Sequence, residues 1–360
     1  MGKRIVVKVG SNVVTRADGK TDTTRVSALV DQLACLCGSG HEVILVSSGS
    51  VSTGRGELHL SRKLDGVSRR QLFSAVGQVK LMNLYYNLFR DHGIVAGQIL
   101  TMKESFSTRR LYLNQRSCIE VMLANGVLPI INENDTVSIT ELMFTDNDEL
   151  GGLVASMMES DAFIILSDVD GLYDGEPGAA GTRLVGTVAC GQDVSGYIRE
   201  ERSGFGRGGM QTKCSVARKL AGEGIRVIIA NGRRENILTD IMSRVQGTPF
   251  TQFEPAARGM SSLKKWIAHS EGFAKGSVRV DARAARALRG GNAVSLLMVG
   301  VTAVEGEFNE GDIISITDGD GNAIAIGRSG YGSGEARALM GSHGVKPMVH
   351  CDYMYLLDEE

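Results

Sequence analysis

The chain has 360 residues, 42% of them hydrophobic, with 46 glycines, five prolines and a formal charge of −2 at neutral pH. That length predicts two domains with room for cores, and many glycines beside few prolines predict tight turns between regular elements, not low complexity. The balanced charge gives no electrostatic case for nucleic acid or an anionic membrane; no apolar run approaches membrane-spanning length, and six scattered cysteines without a Cys-x-x-Cys pair read as reduced thiols.

The first residues enter a strand directly, with no signal-like segment, so a cytoplasmic protein is expected. Ile5-Val6-Val7-Lys8-Val9-Gly10 is a β-branched run long enough for a strand buried on both faces, interrupted by one cation. A lysine is tolerable there if its ammonium emerges at the carboxyl end and meets an anion, although a snorkelling edge lysine would look the same. Val26, Leu29, Val30, Leu33 and Cys37 then recur at helical spacing over Thr23 to Cys37, and Glu42 to Val46 is a second buried strand ending in Ser47-Ser48-Gly49-Ser50. Strand, helix and strand make a parallel βαβ unit, whose loops fall at the sheet edge where such folds bind ligands.

The pattern repeats. A helix over Arg70 to Asp91 leads to a strand at Ile94 to Leu100, and a helix over Thr108 to Asn125 leads to Val127 to Ile131, followed by Asn132-Glu133-Asn134-Asp135. Residues 136–145 read as a small β excursion, closed by Asp146-Asn147-Asp148 at the head of a helix. The strand Ala162 to Leu166 ends in Ser167-Asp168-Val169-Asp170, and after a glycine-rich polar stretch Gly204 to Lys213 opens a helix running to about Gly222. Arg226 to Ala230 and a strand near Pro249 to Phe253 complete the sheet. The expected division is a catalytic domain over 1–255, a linker over 256–275 and a β-rich domain over 276–360, whose one clear helix is Asp281 to Arg289.

Loops ending parallel strands converge, so Gly10-Ser11, Ser47 to Gly49, Asn132 to Asp135 and Ser167-Asp168 gather at one edge, joined by Asp146 to Asp148 and the glycine loop ending at Lys213. Each feature alone has an ordinary structural explanation as a turn or a cap. Together, glycines opening helices and two lysines on separate loops suit phosphoryl transfer, which needs mainly positioning and charge neutralisation. Two decoys fail: Gly19-Lys20-Thr21 lacks the P-loop glycine because Val14 occupies its place, and Gly204, Gly206 and Gly209 satisfy G-x-G-x-x-G without a preceding strand.

Lys8-Val9-Gly10-Ser11, Val46 to Ser50, Ile130 to Asp135, Thr145 to Asp148, Leu166 to Tyr173 and Gly208-Gly209-Met210-Gln211-Thr212-Lys213, in this order, resemble the glutamate-phosphorylating members of the amino acid kinase family, and the tail resembles a PUA domain. The resemblance implies an open, mainly parallel sheet sandwiched by helices, and ATP-dependent phosphorylation of the γ-carboxylate of L-glutamate for proline synthesis. It implies that Lys8 and Lys213 neutralise the transferring phosphoryl group, that Asp168 holds both lysines, and that backbone around Gly10 and Gly49 contacts phosphates. Ser48, Gly49, Asp135 and Asn147 match glutamate-binding positions, with Asn132, Asp146 and Asp148 close by. Lys8, Gly10, Ser167, Asp168 and the run Arg207 to Lys213 match the nucleotide side, with Mg2+ riding on ATP and few fixed protein ligands. Family members commonly carry threonine where this chain has Arg207 and serine where it has Gln211, so contacts from those two side chains stay open.

The resemblance further implies feedback inhibition by proline and a homo-oligomer formed through the kinase domain. PUA domains elsewhere bind RNA, but Gly276 to Glu360 carries 7 Lys and Arg against 12 Asp and Glu, a net of −5. An RNA-binding face carries a basic surplus, so a structural or regulatory tail is expected instead.

Overall fold

The computed structural model describes residues 2–58, 60–137, 144, 146–179, 181–197, 209–257, 259–290 and 294–357. Chain packing divides after Gly259 into two compact units. The first holds an eight-stranded sheet, with β1 (Arg4–Val9), β2 (Glu42–Ser47), β3 (Val95–Thr101), β4 (Val127–Glu133), β5 (Ala162–Ser167), β6 (Thr187–Val188), β7 (Arg226–Asn231) and β8 (Phe250–Phe253) in the order β3-β4-β2-β1-β5-β7-β8-β6. Its helices are α1 (Ser11–Val14), α2 (Thr23–Gly38), α3 (Ser50–Glu57), α4 (Gly66–Asp91), α5 (Arg109–Ala124), α6 (Asn147–Met157), α7 (Met210–Gly222) and α8 (Ile237–Ser243).

β1 lies between β2 and β5, parallel to both, so Lys8 sits beside Val46 on one side and Ile165 on the other. Ile5, Val7 and Val9 pack with Val26, Leu29, Val30 and Leu33 of α2 and with Leu81, Tyr85 and Phe89 of α4 in one core. Each such side chain contributes about 1.5–3 kcal/mol on burial, which anchors the strand that carries Lys8. The carboxyl ends of β1, β2, β4 and β5 therefore open on the same edge.

The sheet is mainly parallel, as expected, and two features add detail to it. β8 runs antiparallel to β7. Val227 stands opposite Phe253 and Ala230 opposite Phe250, so β8 starts at the carboxyl end of β7 and runs back along it. The helix α3 also follows Gly49 directly and packs on α4 through glycines: a Cβ on Gly54 would lie 1.8 Å from Phe73 O, and one on Gly77 1.8 Å from Ser50 O. The expected β excursion falls largely on residues 138–143 and 145, outside the described residues.

The second unit contains α9 (Ser262–Ala268), within the stretch expected as a linker, then β9 (Gly276–Val280), α10 (Ala282–Arg289), β10 (Val301–Gly306), β11 (Ile313–Thr317), β12 (Ala323–Arg328), α11 (Ser333–Leu339) and β13 (Met354–Leu356). Ser261 caps α9, which packs against β12 and β13 with Trp266 and Ile267 buried. The sheet order is β10-β9-β11-β12-β13, closed over a core that includes Val278, Ile314, Ile316, Ile324 and Met348. All six cysteines are free thiols. Among the described residues no helix is long and apolar enough to cross a membrane.

Candidate active site

A cleft of about 1540 Å³ opens at the carboxyl edge of the large sheet, lined by Lys8, Gly10, Ser48, Gly49, Asn132, Asp135, Asn147, Ser167, Asp168, Gly209, Met210 and Lys213, all anticipated from sequence. Its floor is an ion triad. Lys8 Nζ lies 2.5 Å from Asp148 Oδ1, and Lys213 Nζ lies 3.0 Å from Asp148 Oδ2, with all three side chains buried. One carboxylate at the head of α6 thus joins an ammonium from β1 to an ammonium from the first turn of α7.

Burial alone would push the Asp148 carboxyl up, but the charges of Lys8 and Lys213 outweigh it and hold the group below the ordinary carboxylate range. Burial would likewise lower the Lys213 ammonium; Asp148 first, with Asp146 and Asp168 adding, raises it instead. Asp146 shows the opposite balance. Its Oδ1 caps α6 by accepting from Asp148 N (2.7 Å) and Glu149 N (3.1 Å), while its Oδ2 is buried without a hydrogen-bond partner. Desolvation and the neighbouring Asp148 charge push its carboxyl up.

The expectation that Asp168 holds both lysines is corrected: that position belongs to Asp148. Asp168 ends β5 and turns toward the first loop, where its Oδ2 accepts from Asn12 Nδ2 (2.8 Å) and its Oδ1 from Ser167 Oγ (3.2 Å). Arg233 closes this side by donating to Asn12 O at 2.8 Å.

Gly10, Gly49 and Gly209 are the caps of α1, α3 and α7, and none supplies a side-chain cap. The first-turn N–H groups are therefore left for an anion in the cleft. Gly49 has φ +107°, and a Cβ there would lie 2.8 Å from Val14 Cγ2, so glycine is required on both counts. Gln211 and Thr212 stand on the first turn of α7 outside the cleft lining. Arg207 and Gly208 lie outside the described residues.

Opposite the lysines is a neutral and acidic pocket. Asn147 Nδ2 donates to Ser48 Oγ (2.8 Å), Asn132 Oδ1 (3.1 Å) and Ser47 O (3.3 Å). Asn132 Nδ2 donates to Gln78 Oε1 at 3.0 Å, and Asp135 Oδ2 accepts from Ser50 Oγ and Ser74 Oγ, both at 3.4 Å. Arg70 pairs with Asp135 Oδ1 and, at 3.2 Å, with Glu133 Oε2. Arg70, Ser74 and Gln78 were missed in the sequence, although their four-residue spacing puts a polar stripe on the inner face of α4 where an apolar one belongs. That stripe was the available signal.

Residues 3–231 match the Amino acid kinase family and residues 276–350 the PUA domain. The chain is 57% identical to Glutamate 5-kinase of Bacteroides thetaiotaomicron, covering 98% of each chain, and 48% identical to Glutamate 5-kinase of Chlorobaculum tepidum, covering 99% of this chain and 98% of the other. Carbamate kinase from Giardia lamblia, solved bound to AMP-PNP, superposes with a TM-score of 0.51 at 17% identity over 71% of this chain and 99% of that one, which is a likeness of fold. The chain belongs to the amino acid kinase family, with the glutamate 5-kinases as its near relatives, and ends in a PUA domain.

Proposed function

We propose that the protein transfers the γ-phosphoryl group of ATP to the side-chain carboxylate of L-glutamate, giving L-glutamyl 5-phosphate and ADP, the first step of proline synthesis. The observation that carries this reading is the pair of ammonium groups, on separate elements, locked by one buried carboxylate at the cleft floor. A γ-carboxylate oxygen bonds to phosphorus as the bond from phosphorus to the β,γ-bridging oxygen breaks, and ADP keeps that electron pair. Because the carboxylate is ionised at neutral pH, no group has to remove a proton. Lys8 and Lys213 neutralise the phosphoryl oxygens and the leaving oxygen, and Asp148 holds both lysines from behind.

Ser48 and Asn147 receive the acceptor, Gly49 lends backbone N–H, and Asp135 takes the α-ammonium, as an acidic residue suits a cation and neutral donors suit a nucleophilic carboxylate. Gly10, Ser167, Asp168 and the stretch Arg207 to Lys213 hold the nucleotide. The residues present also fit Mg2+ carried on ATP: Asp146 offers a buried, unpartnered Oδ2. Among the described residues no three His, Cys, Asp or Glu side chains converge in this cleft, so phosphate and water oxygens would complete the shell. When bound, that ion supplies further charge neutralisation on the phosphates.

The same reading includes action in the cytoplasm, feedback inhibition by proline and a homo-oligomer through the kinase domain. The reaction is tested by trapping acyl phosphate with hydroxylamine while L-glutamate, L-aspartate, N-acetyl-L-glutamate or no acceptor is supplied. Hydroxamate with L-glutamate alone is expected; turnover with another acceptor instead overturns the substrate assignment.

A further inference from the structure

Arg70 is a cation with two acidic neighbours in a pocket that must accept a zwitterion. Its side chain is 19% exposed and lines the cleft, while those of Asp135 and Glu133 are only 6% and 5% exposed. Several other described cations of this cleft are engaged elsewhere: Lys8 and Lys213 with Asp148, Arg16 with Asp22 at 3.6 Å, Arg233 with the Asn12 carbonyl, and Arg55 over the Phe73 ring. Among the described residues, Arg70 is the cleft cation in contact with Asp135.

Resting on the glutamate-phosphorylating reading above, we infer that Arg70 binds the α-carboxylate of the acceptor, and that the Arg70–Asp135 ion pair as a unit selects an α-amino acid. The two charges of an α-amino acid are joined through one carbon, so a pair of side chains in direct contact matches them in spacing and in sign. On binding, the pair exchanges its internal contact for two to the ligand: ammonium to Asp135, carboxylate to the planar, two-pronged guanidinium. Glu133 stays at 3.2 Å from the guanidinium and keeps it aimed. Glu133 is itself fixed because its Oε1 accepts from Phe144 N at 3.0 Å. Ser74, one helical turn along α4, steadies Asp135 in the same way. The γ-carboxylate then extends away from this pair toward Ser48, Asn147 and the lysines.

The test pairs a protein change with a ligand change. L-isoglutamine keeps the γ-carboxylate and the α-ammonium but has a neutral amide in place of the α-carboxylate. Arg70→Gln is expected to raise KM for L-glutamate about 30-fold, the value of a charge-assisted hydrogen bond, and to change KM for L-isoglutamine, or its Ki against glutamate, by less than about 3-fold, since the deleted contact is absent there. Arg70→Lys, which keeps the charge but not the fork and guards against a folding defect, should recover part of the glutamate KM and again leave L-isoglutamine little changed. Equal losses for both ligands would overturn the inference, because a residue that only supports Asp135 affects them alike. Loss of wild-type hydroxamate formation with L-glutamate would instead remove the underlying reading.

Discussion

Asn147 and Asp148 are consecutive in the chain yet serve opposite ends of the cleft. Asn147 donates to Ser48 and Asn132 on the acceptor side, and Asp148 holds Lys8 and Lys213 on the phosphoryl side. The first turn of α6 is therefore the hinge point of the chemistry: a displacement of it moves the nucleophile's ligand and the phosphoryl ligands together. Asp146 fixes that turn by capping it.

Asp148→Asn should lower kcat by roughly 10²–10³, the scale on which preorganised charge contributes to such steps. It should also cost about 3–5 kcal/mol of stability, because two buried ammonium groups lose their counter-charge. Asp168→Asn, which removes a contact to Asn12, is expected to act mainly through KM for ATP with a smaller loss of kcat. Steady-state kinetics with both substrates varied and thermal unfolding of the two variants check this; a larger kcat loss in Asp168→Asn would return the lysine-holding role to Asp168.

Asp146→Asn should be more stable than the wild type at neutral pH while binding Mg·ATP less well. The carboxyl is raised in the folded protein, so its ionisation disfavours folding at pH above the native value, and the cost vanishes as pH falls toward the unfolded value near 4. The stabilisation from the substitution should follow that course, full at high pH and gone near pH 4. Asn keeps an oxygen for the cap. Urea unfolding between pH 4 and 8 measures the first effect and KM for Mg·ATP the second; a variant less stable at pH 7 contradicts the assignment.

The ion triad sets its own pH limits. Asp148 is depressed, so its contribution is present above the unfolded carboxylate value and lost as pH falls through the lower folded one; Lys213 is raised, so its contribution is present below the unfolded lysine value and lost as pH rises through the higher folded one. Stability from the triad should be flat between about pH 5 and pH 9. Below about pH 4, where Asp148 itself takes up its proton, the stability advantage of wild type over Asp148→Asn should shrink as pH falls; an advantage that grows on further acidification would contradict it.

Gly77→Ala should reach the acceptor pocket from behind. The added Cβ would lie 1.8 Å from Ser50 O, so α3 has to move off α4, at a cost of about 1–3 kcal/mol or more. Ser50 and Ser74 flank Asp135, so KM for L-glutamate should rise with KM for ATP unchanged. A change confined to ATP would place the helix contact on the wrong side of the cleft.

The strands and their loops were legible because buried parallel strands read as short apolar runs and their carboxyl ends must converge. Lys8 stood out as the one charge in such a run. The choice between Asp148 and Asp168 was not legible: both follow strands of one edge, and only the packing of α6 beside β1 and α7 brings Asp148 between the two ammonium groups. Arg70 was missed because an arginine early in a long helix reads as solvated until α3 pins that helix over the pocket.

The most direct test of the central claim, that the paired lysines neutralise the transferring phosphoryl group, is kcat and both KM values for Lys213→Ala with ATP and L-glutamate. The expected result is a fall in kcat of about 10²–10³ with KM for L-glutamate changed by no more than a few-fold. A variant that keeps kcat and loses only affinity would contradict it, and would make Lys213 a tether for the nucleotide.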